Sequence, residues 1–253
     1  MTPRPLAIVT GGCAGIGWQI GQRLIADGFH VVAIDVAAGL AHENPQEHLS
    51  WVEGDVTNHD AVANLFAEID KQWGPLYLLV NNAGIQRHRA LEQLTFQEWE
   101  AVVSVNLHGT FSCLQAAGNL MLDRGQGSIV NISSVASRGS AGRAPYSTTK
   151  AAVIALTATA GAEWASRGVR VNAVAPGYVD TGVLRQGLEQ GTLRLEPILD
   201  RIPMARLADA TEIAAAVSFL ASDQSSYMAG QTIFVDGGFS VDYGVPLVPP
   251  SAS

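Results

Sequence analysis

Short apolar segments rich in β-branched residues alternate with longer amphipathic segments along almost the whole chain. The first kind has the length of a buried strand, and the second has the length and periodicity of a helix. Strands that alternate with helices form βαβ units, whose right-handed crossovers produce a parallel sheet covered on both faces. The sequence therefore predicts an α/β fold with a doubly wound parallel sheet of about seven strands. The predicted strands are 6–9, 31–34, 49–52, 76–80, 128–132, 169–174 and 232–235, and the predicted helices are 15–28, 58–73, 95–123, 145–166 and 209–222.

The charge balance of the chain limits its partners. Its 253 residues include 15 lysines and arginines against 23 aspartates and glutamates, which gives a net charge of −8. A nucleic-acid binder needs a basic surface to neutralise phosphates, so we expect no nucleic-acid partner. No apolar run approaches the ~18 residues of a membrane span, and the run 6–9 is too short for a secretory signal. We therefore expect no membrane partner and a cytoplasmic location.

Cysteine and histidine give no indication of a metal site. The chain has two cysteines, Cys13 and Cys113, which are too few for a disulfide framework. Its six histidines show no spacing typical of metal ligands. We therefore expect a protein without metal in a reducing compartment.

One domain is expected over residues 1–243, because no linker and no internal repeat divides the chain. Residues 180–206 interrupt the alternation with several glycines and prolines. Segments of this kind close over a substrate and exclude water, so we expect a substrate lid there. Residues 244–253 form a proline-rich C-terminal tail that cannot propagate regular structure. A frayed end and a contact with a neighbouring subunit are both compatible with that tail.

A glycine-rich turn follows the first predicted strand and precedes the first predicted helix. It reads Thr-Gly-Gly-Cys-Ala-Gly-Ile-Gly over residues 10–17. Glycine allows positive φ and the close approach of a phosphate, and a helix N-terminus offers free N–H groups to it. Asp35 ends the second strand, where a carboxylate binds the ribose hydroxyls of a dinucleotide. Because this carboxylate would repel a 2′-phosphate, we expect NAD as the cofactor rather than NADP.

These motifs resemble those of the short-chain dehydrogenase/reductase family. The similarity covers about residues 5–240 and includes the glycine spacing, the run Asn-Asn-Ala-Gly at 81–84, and Tyr-Ser-Thr-Thr-Lys at 146–150. The resemblance implies a Rossmann-type fold, a nicotinamide cofactor and a symmetric homotetramer. It also implies the cofactor-binding residues, which are Gly11, Cys13, Ala14, Gly15, Ile16, Gly17, Asp35, Asp55, Val56, Asn82, Ala83, Gly84, Tyr146, Lys150, Pro176, Gly177, Val179 and Thr181.

Tyr146 and Lys150 are the candidates for acid–base chemistry. They are four residues apart, so both project from one face of a helix. A free tyrosine titrates near pH ~10, and a nearby ammonium favours the phenolate, so we expect Lys150 to lower the pKa of Tyr146. The family resemblance implies that Tyr146 is the acid/base, that Ser133 orients the substrate, and that Lys150 binds the cofactor ribose. It also implies that Asn106 supports a proton relay.

Four arginines follow the fourth and fifth predicted strands, and ligands bind at the carboxyl ends of such strands. Guanidinium groups suit bidentate capture of a carboxylate, sulfonate or phosphate. The run Gln-Arg-His-Arg at 86–89 also resembles sugar-acid members of the family. We therefore expect oxidation of a secondary hydroxyl in a small polyhydroxylated, anionic substrate; pairing of the arginines with surface carboxylates is the alternative. The expected substrate-binding residues are Arg87, Arg89, Ser133, Arg138, Arg143 and Tyr146.

Two other functions are compatible with the same motifs. A 3-oxoacyl carrier reductase typically uses NADPH, which Asp35 opposes, and it docks an acidic carrier on basic helices. A catalytically silent NAD-binding protein would not need the complete set of candidate catalytic residues. Cofactor preference distinguishes the first alternative from a dehydrogenase, and a single turnover measurement distinguishes the second.

Overall fold

Seven parallel strands form one sheet with helices on both faces. The computed structural model describes residues 4–36, 46–189, 191 and 193–242. The strand order is β3-β2-β1-β4-β5-β6-β7, which confirms the predicted doubly wound α/β fold. Each observed strand contains the predicted one. The strands are β1 (Leu6–Thr10), β2 (His30–Asp35), β3 (Leu49–Glu53), β4 (Leu76–Asn81), β5 (Gly127–Ile132), β6 (Val169–Pro176) and β7 (Thr232–Val235).

The helices agree with the predicted ones except in two places. The predicted helix 95–123 is two α-helices joined by a wider π-helical segment, Ser104–Gly109. The described residues of the predicted lid, 180–206, include two short helices, Gly182–Glu189 and Glu196–Leu199. The α-helices are α1 (Gly15–Ala26), α2 (His59–Trp73), α3 (Phe96–Val103), α4 (Thr110–Arg124), α5 (Ala144–Trp164), α6 (Gly182–Glu189), α7 (Glu196–Leu199) and α8 (Ala210–Ala221).

Two apolar layers cover the faces of the sheet. Alternate residues of β1 belong to different layers: Leu6 and Ile8 pack in the layer that includes α2, α4 and α5, and Ala7 and Val9 pack in the layer that includes α1 and α8. All five β1 residues are buried because both faces are covered. This arrangement explains why the strands appear in the sequence as continuous apolar runs.

A third, smaller apolar cluster lies in the predicted lid. Leu184, Ile198 and Ile202 are buried there, and Tyr178 and Phe239 pack against them. Phe239 follows β7, so the end of the described chain returns to the predicted lid. The C-terminal tail at residues 244–253 lies outside the described residues, so a frayed end and a subunit contact both stay predictions.

The strand order reverses direction between β1 and β4. The chain runs outward from β1 to β3 and then crosses to β4 on the other side of β1. A crevice opens above the carboxyl ends of the strands at such a reversal, and it is the usual ligand site of open α/β sheets. Among the described residues, no helix has both the length and the apolar character needed to span a bilayer.

Candidate active site

The glycine-rich turn between β1 and α1 has the geometry of a phosphate cradle. Gly11 and Gly15 have φ of +61° and +53°, a region that residues with a Cβ rarely adopt. A Cβ on Gly17 would lie 2.1 Å from the carbonyl oxygen of Gly11, so only glycine fits there. Ala14 caps α1 without a side-chain hydrogen bond, which leaves the first amides of the helix available to an anion. The turn therefore fits the pyrophosphate of a dinucleotide.

Asp35 lies beside this turn, at the carboxyl end of β2. The main-chain N–H of Cys13 donates to Asp35 Oδ2 at 3.4 Å, which orients the carboxylate toward the glycine-rich turn. Burial, together with the charge of Asp35, raises the pKa of the Cys13 thiol to about 11. The thiol is therefore protonated at neutral pH and contributes as a small packed group. The position of Asp35 fits the ribose-binding role predicted for it.

A recess suitable for a planar base opens between β3 and α2. Its volume is about 360 Å³, and its lining includes Asp55, Val56, Ile34 and Leu65. Asp55 Oδ1 accepts hydrogen bonds from the main-chain N–H and the hydroxyl of Thr57, at 2.9 and 2.8 Å. Asp55 Oδ2 is the oxygen left to a ligand. Asp55 and Val56, two of the predicted cofactor-binding residues, both line this recess.

The end of β4 is joined to the glycine-rich turn by side-chain hydrogen bonds. Asn82 Nδ2 donates to the carbonyls of Thr10 and Gly11, at 3.0 and 2.9 Å. The Thr10 hydroxyl accepts from the N–H groups of Asn82 and Ala83, both at 3.1 Å. The Asn82 amide therefore helps to fix the backbone conformation of the glycine-rich turn. A Cβ on Gly84 would lie 3.6 Å from Lys150 Nζ, so the chain passes close to the predicted catalytic lysine here.

Asn106 lies in the π-helical segment between α3 and α4. Its side chain is fully buried, with Oδ1 accepting from the Ile85 N–H at 2.8 Å and Nδ2 donating to the Ile85 carbonyl at 2.9 Å. Nδ2 also lies 3.4 Å from the Thr149 hydroxyl. Single π-turns within helices occur frequently at functional sites. Asn106 thus connects the helix, the segment after β4, and α5.

Tyr146 and Lys150 lie on the first turns of α5, with Nζ 5.7 Å from the centre of the tyrosine ring. The ammonium donates to the carbonyl of Ile132 at 2.7 Å, and burial lowers the pKa of Lys150 to about 8. Burial also raises the pKa of Tyr146 above its ordinary value, against the opposing effects of Ser134 and Arg143. The expected lowering of the Tyr146 pKa by Lys150 is therefore wrong for this structure. Desolvation of the phenol is the dominant effect, and the lysine charge is directed at a carbonyl.

The serine beside Tyr146 is Ser134, one residue after the predicted Ser133. A side-chain hydrogen bond with Ser134 lowers the pKa of Tyr146, whereas the Ser133 hydroxyl donates to the carbonyl of Lys150 at 2.8 Å. Adjacent residues at the end of a strand point to opposite faces of the sheet. Ser133 therefore fixes the strand to α5, and Ser134 lies on the side of the phenol. Only Ser133 was predicted, although the pair of consecutive serines at 133–134 could have indicated Ser134.

The four predicted arginines have different environments. Arg89 forms an ion pair with Glu98, with its Nη2 2.7 Å from Oε1. Arg138 donates to the carbonyl of Ser240 at 2.7 Å and lies over the ring of Phe234. Both guanidinium groups are held by the protein itself, so the predicted substrate role is corrected for these two. Arg87 is exposed, and within the described part of the chain its guanidinium donates only to the neighbouring carbonyl of Gln86, at 3.2 Å.

Arg143 is the arginine whose charge acts on the candidate catalytic group. It lowers the pKa of Tyr146 and, together with burial, the pKa of His88. Its guanidinium has no carboxylate partner among the described residues, and its Cζ lies 5.9 Å from the centre of the Tyr178 ring. An uncompensated cation therefore lies near the phenol. Tyr178 was not singled out by the sequence, although its position directly after Pro176-Gly177 could have indicated it.

The segment after β6 returns to the glycine-rich turn. The Gly177 N–H donates to the carbonyl of Val235 at 2.9 Å, and a Cβ on Gly177 would lie 2.8 Å from Asp236 Cα. Val179 forms a bridge with Ala208, and the Thr181 methyl lies 4.0 Å from the position of a Cβ on Gly15. Pro176, Gly177, Val179 and Thr181 are thus brought to the crevice. The described residues contain no cluster of three or more histidine, cysteine or acidic side chains arranged to hold a metal.

Comparisons with known proteins agree with this geometry. A family model described as Enoyl-(Acyl carrier protein) reductase matches residues 11–240. The chain is 40% identical to the 3-oxoacyl-[acyl-carrier-protein] reductase of Staphylococcus aureus over 243 residues, which cover 92% of this chain and 96% of the relative. A glycine-rich turn after the first strand of a parallel sheet and a Tyr–Lys pair on one helix indicate the class of nicotinamide-dependent oxidoreductases. The chain belongs to the short-chain dehydrogenase/reductase family.

Solved structures of sugar and sugar-acid dehydrogenases have the same fold. The gluconate 5-dehydrogenase of Burkholderia cenocepacia, in complex with NADP and tartrate, superposes with a TM-score of 0.89 at 34% identity, covering 95% of this chain and 96% of that one. The aldohexose dehydrogenase of Thermoplasma acidophilum superposes with a TM-score of 0.87 at 34% identity, covering 97% and 98% of the two chains. These similarities confirm the fold and the family.

Proposed function

We propose that the protein oxidises a secondary hydroxyl of a small polyhydroxylated substrate that carries an anionic group, with NAD as the hydride acceptor. The observation that supports this proposal most directly is Arg143, a guanidinium without a carboxylate partner among the described residues that acts on Tyr146. A cation placed there attracts an anionic substrate to the catalytic phenol. Arg87, which is exposed, is available as a second contact.

The chemistry of the proposed site follows from four side chains. A bound nicotinamide supplies the acceptor for the hydride that leaves the carbinol carbon. Tyr146 takes the hydroxyl proton, and Ser134 holds the substrate oxygen in place of the predicted Ser133. Lys150, whose Nζ lies 5.7 Å from the centre of the Tyr146 ring, is placed to contact a cofactor ribose. Asn106 holds the segment after β4 against α5, which keeps Lys150 and Tyr146 in register.

The preference for NAD rests on Asp35. Its carboxylate is fixed beside the glycine-rich turn by the Cys13 N–H, where it accepts hydrogen bonds from ribose hydroxyls. A 2′-phosphate in that position would meet a like charge and lose affinity. The Burkholderia cenocepacia enzyme is in complex with NADP, and a titration of the present chain with both cofactors tests the preference.

A 3-oxoacyl carrier reductase is the second candidate, because the Staphylococcus aureus relative has that name. An acidic carrier docks on unpaired basic residues, and several surface arginines here are neutralised by carboxylates. Arg124 is paired with Asp70, and Arg206 is paired with Glu212. With a net charge of −8, this chain attracts an acidic carrier less than it attracts a small anion that reaches Arg143.

The proposal also includes a lid, a single catalytic domain, a cytoplasmic location and a homotetrameric assembly. Residues 180–206 act as a lid, since α6 and α7 pack around an apolar cluster of their own rather than on the two main layers. Residues 1–243 form one catalytic domain. The enzyme works in the cytoplasm as a homotetramer, as is common in its family.

The decisive experiment is a substrate panel with both cofactors. NADH and NADPH formation should be followed with aldonates, sulfonated sugars, neutral sugars, polyols and hydroxyacyl thioesters. We expect the highest kcat/KM with NAD and an anionic polyhydroxylated substrate. Highest activity with NADP and a hydroxyacyl thioester, the reverse of the 3-oxoacyl reduction, would instead establish the reductase, and no turnover with any substrate would indicate a silent binding protein.

A further inference from the structure

Two aromatic rings and two arginines form a continuous series of contacts beside the candidate active site. Arg143 Cζ lies 5.9 Å from the centre of the Tyr178 ring, and the Tyr178 and Phe239 rings meet edge to face at 5.5 Å. Arg201 Cζ lies 4.6 Å from the centre of the Phe239 ring. These distances are within the range of attractive cation–π and aromatic contacts. Tyr178 and Phe239 together are called the aromatic bracket below.

The chain holds the aromatic bracket from several sides. Phe239 belongs to a tight turn in which the Asp236 carboxylate accepts from the N–H groups of Gly238 and Ser240, at 3.0 and 2.9 Å. The carbonyl of Ser240 in turn accepts from Arg138 at 2.7 Å. Arg138 lies in the segment between Ser134 and α5. This hydrogen bond therefore joins the turn after β7 to that segment. The position of Phe239, and through it that of Tyr178, is therefore well defined.

Arg143 depends on this support more than the arginines that are paired with a carboxylate do. Arg89, Arg185 and Arg206 are each held by a carboxylate through ion pairs of 2.7 Å. Within the described ranges, Arg143 forms no hydrogen bond or ion pair through its guanidinium, and the Tyr178 ring is the group over which it lies. A free arginine side chain samples many rotamers, and fixing it costs conformational entropy. An aromatic face reduces that cost without neutralising the charge.

We propose that the aromatic bracket is a positioning unit, which directs Arg143 toward Tyr146 and so determines how strongly the enzyme prefers anionic substrates. The inference rests on the proposed function for the anionic class of the substrate. The charge of Arg143 binds the anion, and the ring of Tyr178 fixes the orientation of that charge. Tyr178 acts through Arg143 and not through its own hydroxyl.

The test measures binding of tartrate, a hydroxylated dicarboxylate, to the NADH-loaded protein by calorimetry. Threitol, the neutral polyol of the same carbon skeleton, is the comparison ligand. We expect Tyr178→Leu to weaken tartrate binding about fivefold, in line with the loss of one cation–π contact, and to leave threitol binding within about twofold. Tyr178→Phe, which keeps the ring, should restore tartrate binding. Tyr227→Leu is the matched control, because Tyr227 is fully exposed elsewhere on the surface.

A double-mutant cycle shows whether Tyr178 acts through Arg143. In the Arg143→Ala background, we expect Tyr178→Leu to have no further effect on tartrate binding. If Tyr178→Leu folds poorly, Phe239→Leu replaces it, with a smaller loss in the same direction. The proposal is overturned by an equal loss in both backgrounds, by equal losses of tartrate and threitol, by unchanged tartrate binding in Tyr178→Leu, or by failure of Tyr178→Phe to restore binding. Equal affinity of the unmodified protein for tartrate and threitol would instead contradict the anionic substrate itself, and with it the proposed function.

Discussion

Ser134 is the serine that lowers the pKa of Tyr146, while the hydroxyl of the neighbouring Ser133 donates to the carbonyl of Lys150. Ser134 thus acts on the phenol that is proposed to react, and Ser133 holds the end of β5 against α5. Replacing each of them separates these roles. We expect Ser134→Ala to lower kcat about 100-fold, the cost of losing a donor that acts on the reacting oxygen. Ser133→Ala should cost about 1 kcal/mol of unfolding free energy and change kcat less than threefold.

Steady-state kinetics and denaturant unfolding on both variants check this prediction. The assignment is contradicted if Ser133→Ala loses more activity than Ser134→Ala. Ser134→Thr keeps the hydroxyl and serves as the matched control.

Tyr146→Phe removes the phenol oxygen and leaves the ring in place. We expect kcat to fall by at least about 10³-fold, because the proposed base is lost, while the Kd of NAD changes less than threefold. Stopped-flow or steady-state assays measure the first quantity, and calorimetry measures the second. Substantial turnover in this variant would exclude Tyr146 from the proposed role.

Asp35→Ala tests the origin of the cofactor preference. Loss of hydrogen bonds from ribose hydroxyls to a charged group should raise the Kd of NAD about tenfold or more. The Kd of NADP should fall or stay constant, since a like charge is removed. Titration of the protein with both cofactors gives the ratio of the two Kd values. A ratio unchanged from that of the unmodified protein would show that another residue determines the preference.

Arg143→Ala and Arg89→Ala form a matched pair of charge deletions. Arg89 is already neutralised by Glu98, whose pKa the ion pair lowers to about 2, whereas Arg143 has no such partner among the described residues. We therefore expect Arg143→Ala to lower kcat/KM for an anionic substrate about 10- to 100-fold relative to its neutral analogue. Arg89→Ala should leave that ratio within about twofold. An equal effect of the two substitutions would contradict the assignment of Arg143.

Lys150→Met probes the cost of burying an ammonium. Burial lowers the pKa of Lys150 to about 8, so the unfolded chain binds more protons than the folded protein between pH 8 and the ordinary lysine pKa of 10.5. The burial penalty is therefore fully present below pH 8 and is relieved as the pH rises toward 10.5. We expect Lys150→Met to unfold with a free energy up to about 3 kcal/mol higher at pH 7, and this advantage to shrink at pH 9.5.

Urea unfolding of both proteins at the two pH values gives the difference in their unfolding free energies. The contributions of other titrating groups are the same in both proteins and cancel in this difference. An advantage that grows with pH would show that Lys150 is held in its charged form. The same variant should have no measurable turnover, because the ammonium proposed to contact the cofactor ribose beside Tyr146 is removed.

The order of elements and the cofactor cradle could be predicted from the sequence, because both are determined locally. A strand buried on both faces is a continuous apolar run, and β1 through β7 were located in this way. The glycines of the turn after β1 are required by backbone geometry within a few residues. Tyr146 and Lys150 share a helix face by spacing alone. Sequence is informative wherever the constraint acts over one turn or one strand.

Which side chains meet across the crevice was decided only by the tertiary structure. The choice between Ser133 and Ser134 depends on the direction in which each side chain points at the end of β5. Whether an arginine is paired within the protein or available to a ligand depends on residues distant in the chain. Arg138 meets Ser240 and Arg143 meets Tyr178, at separations that no local pattern encodes. The burial that raises the pKa of Tyr146 is likewise produced by elements packed around it. Charge compensation and desolvation are properties of the folded surroundings, and they decide which predicted residue is free to act.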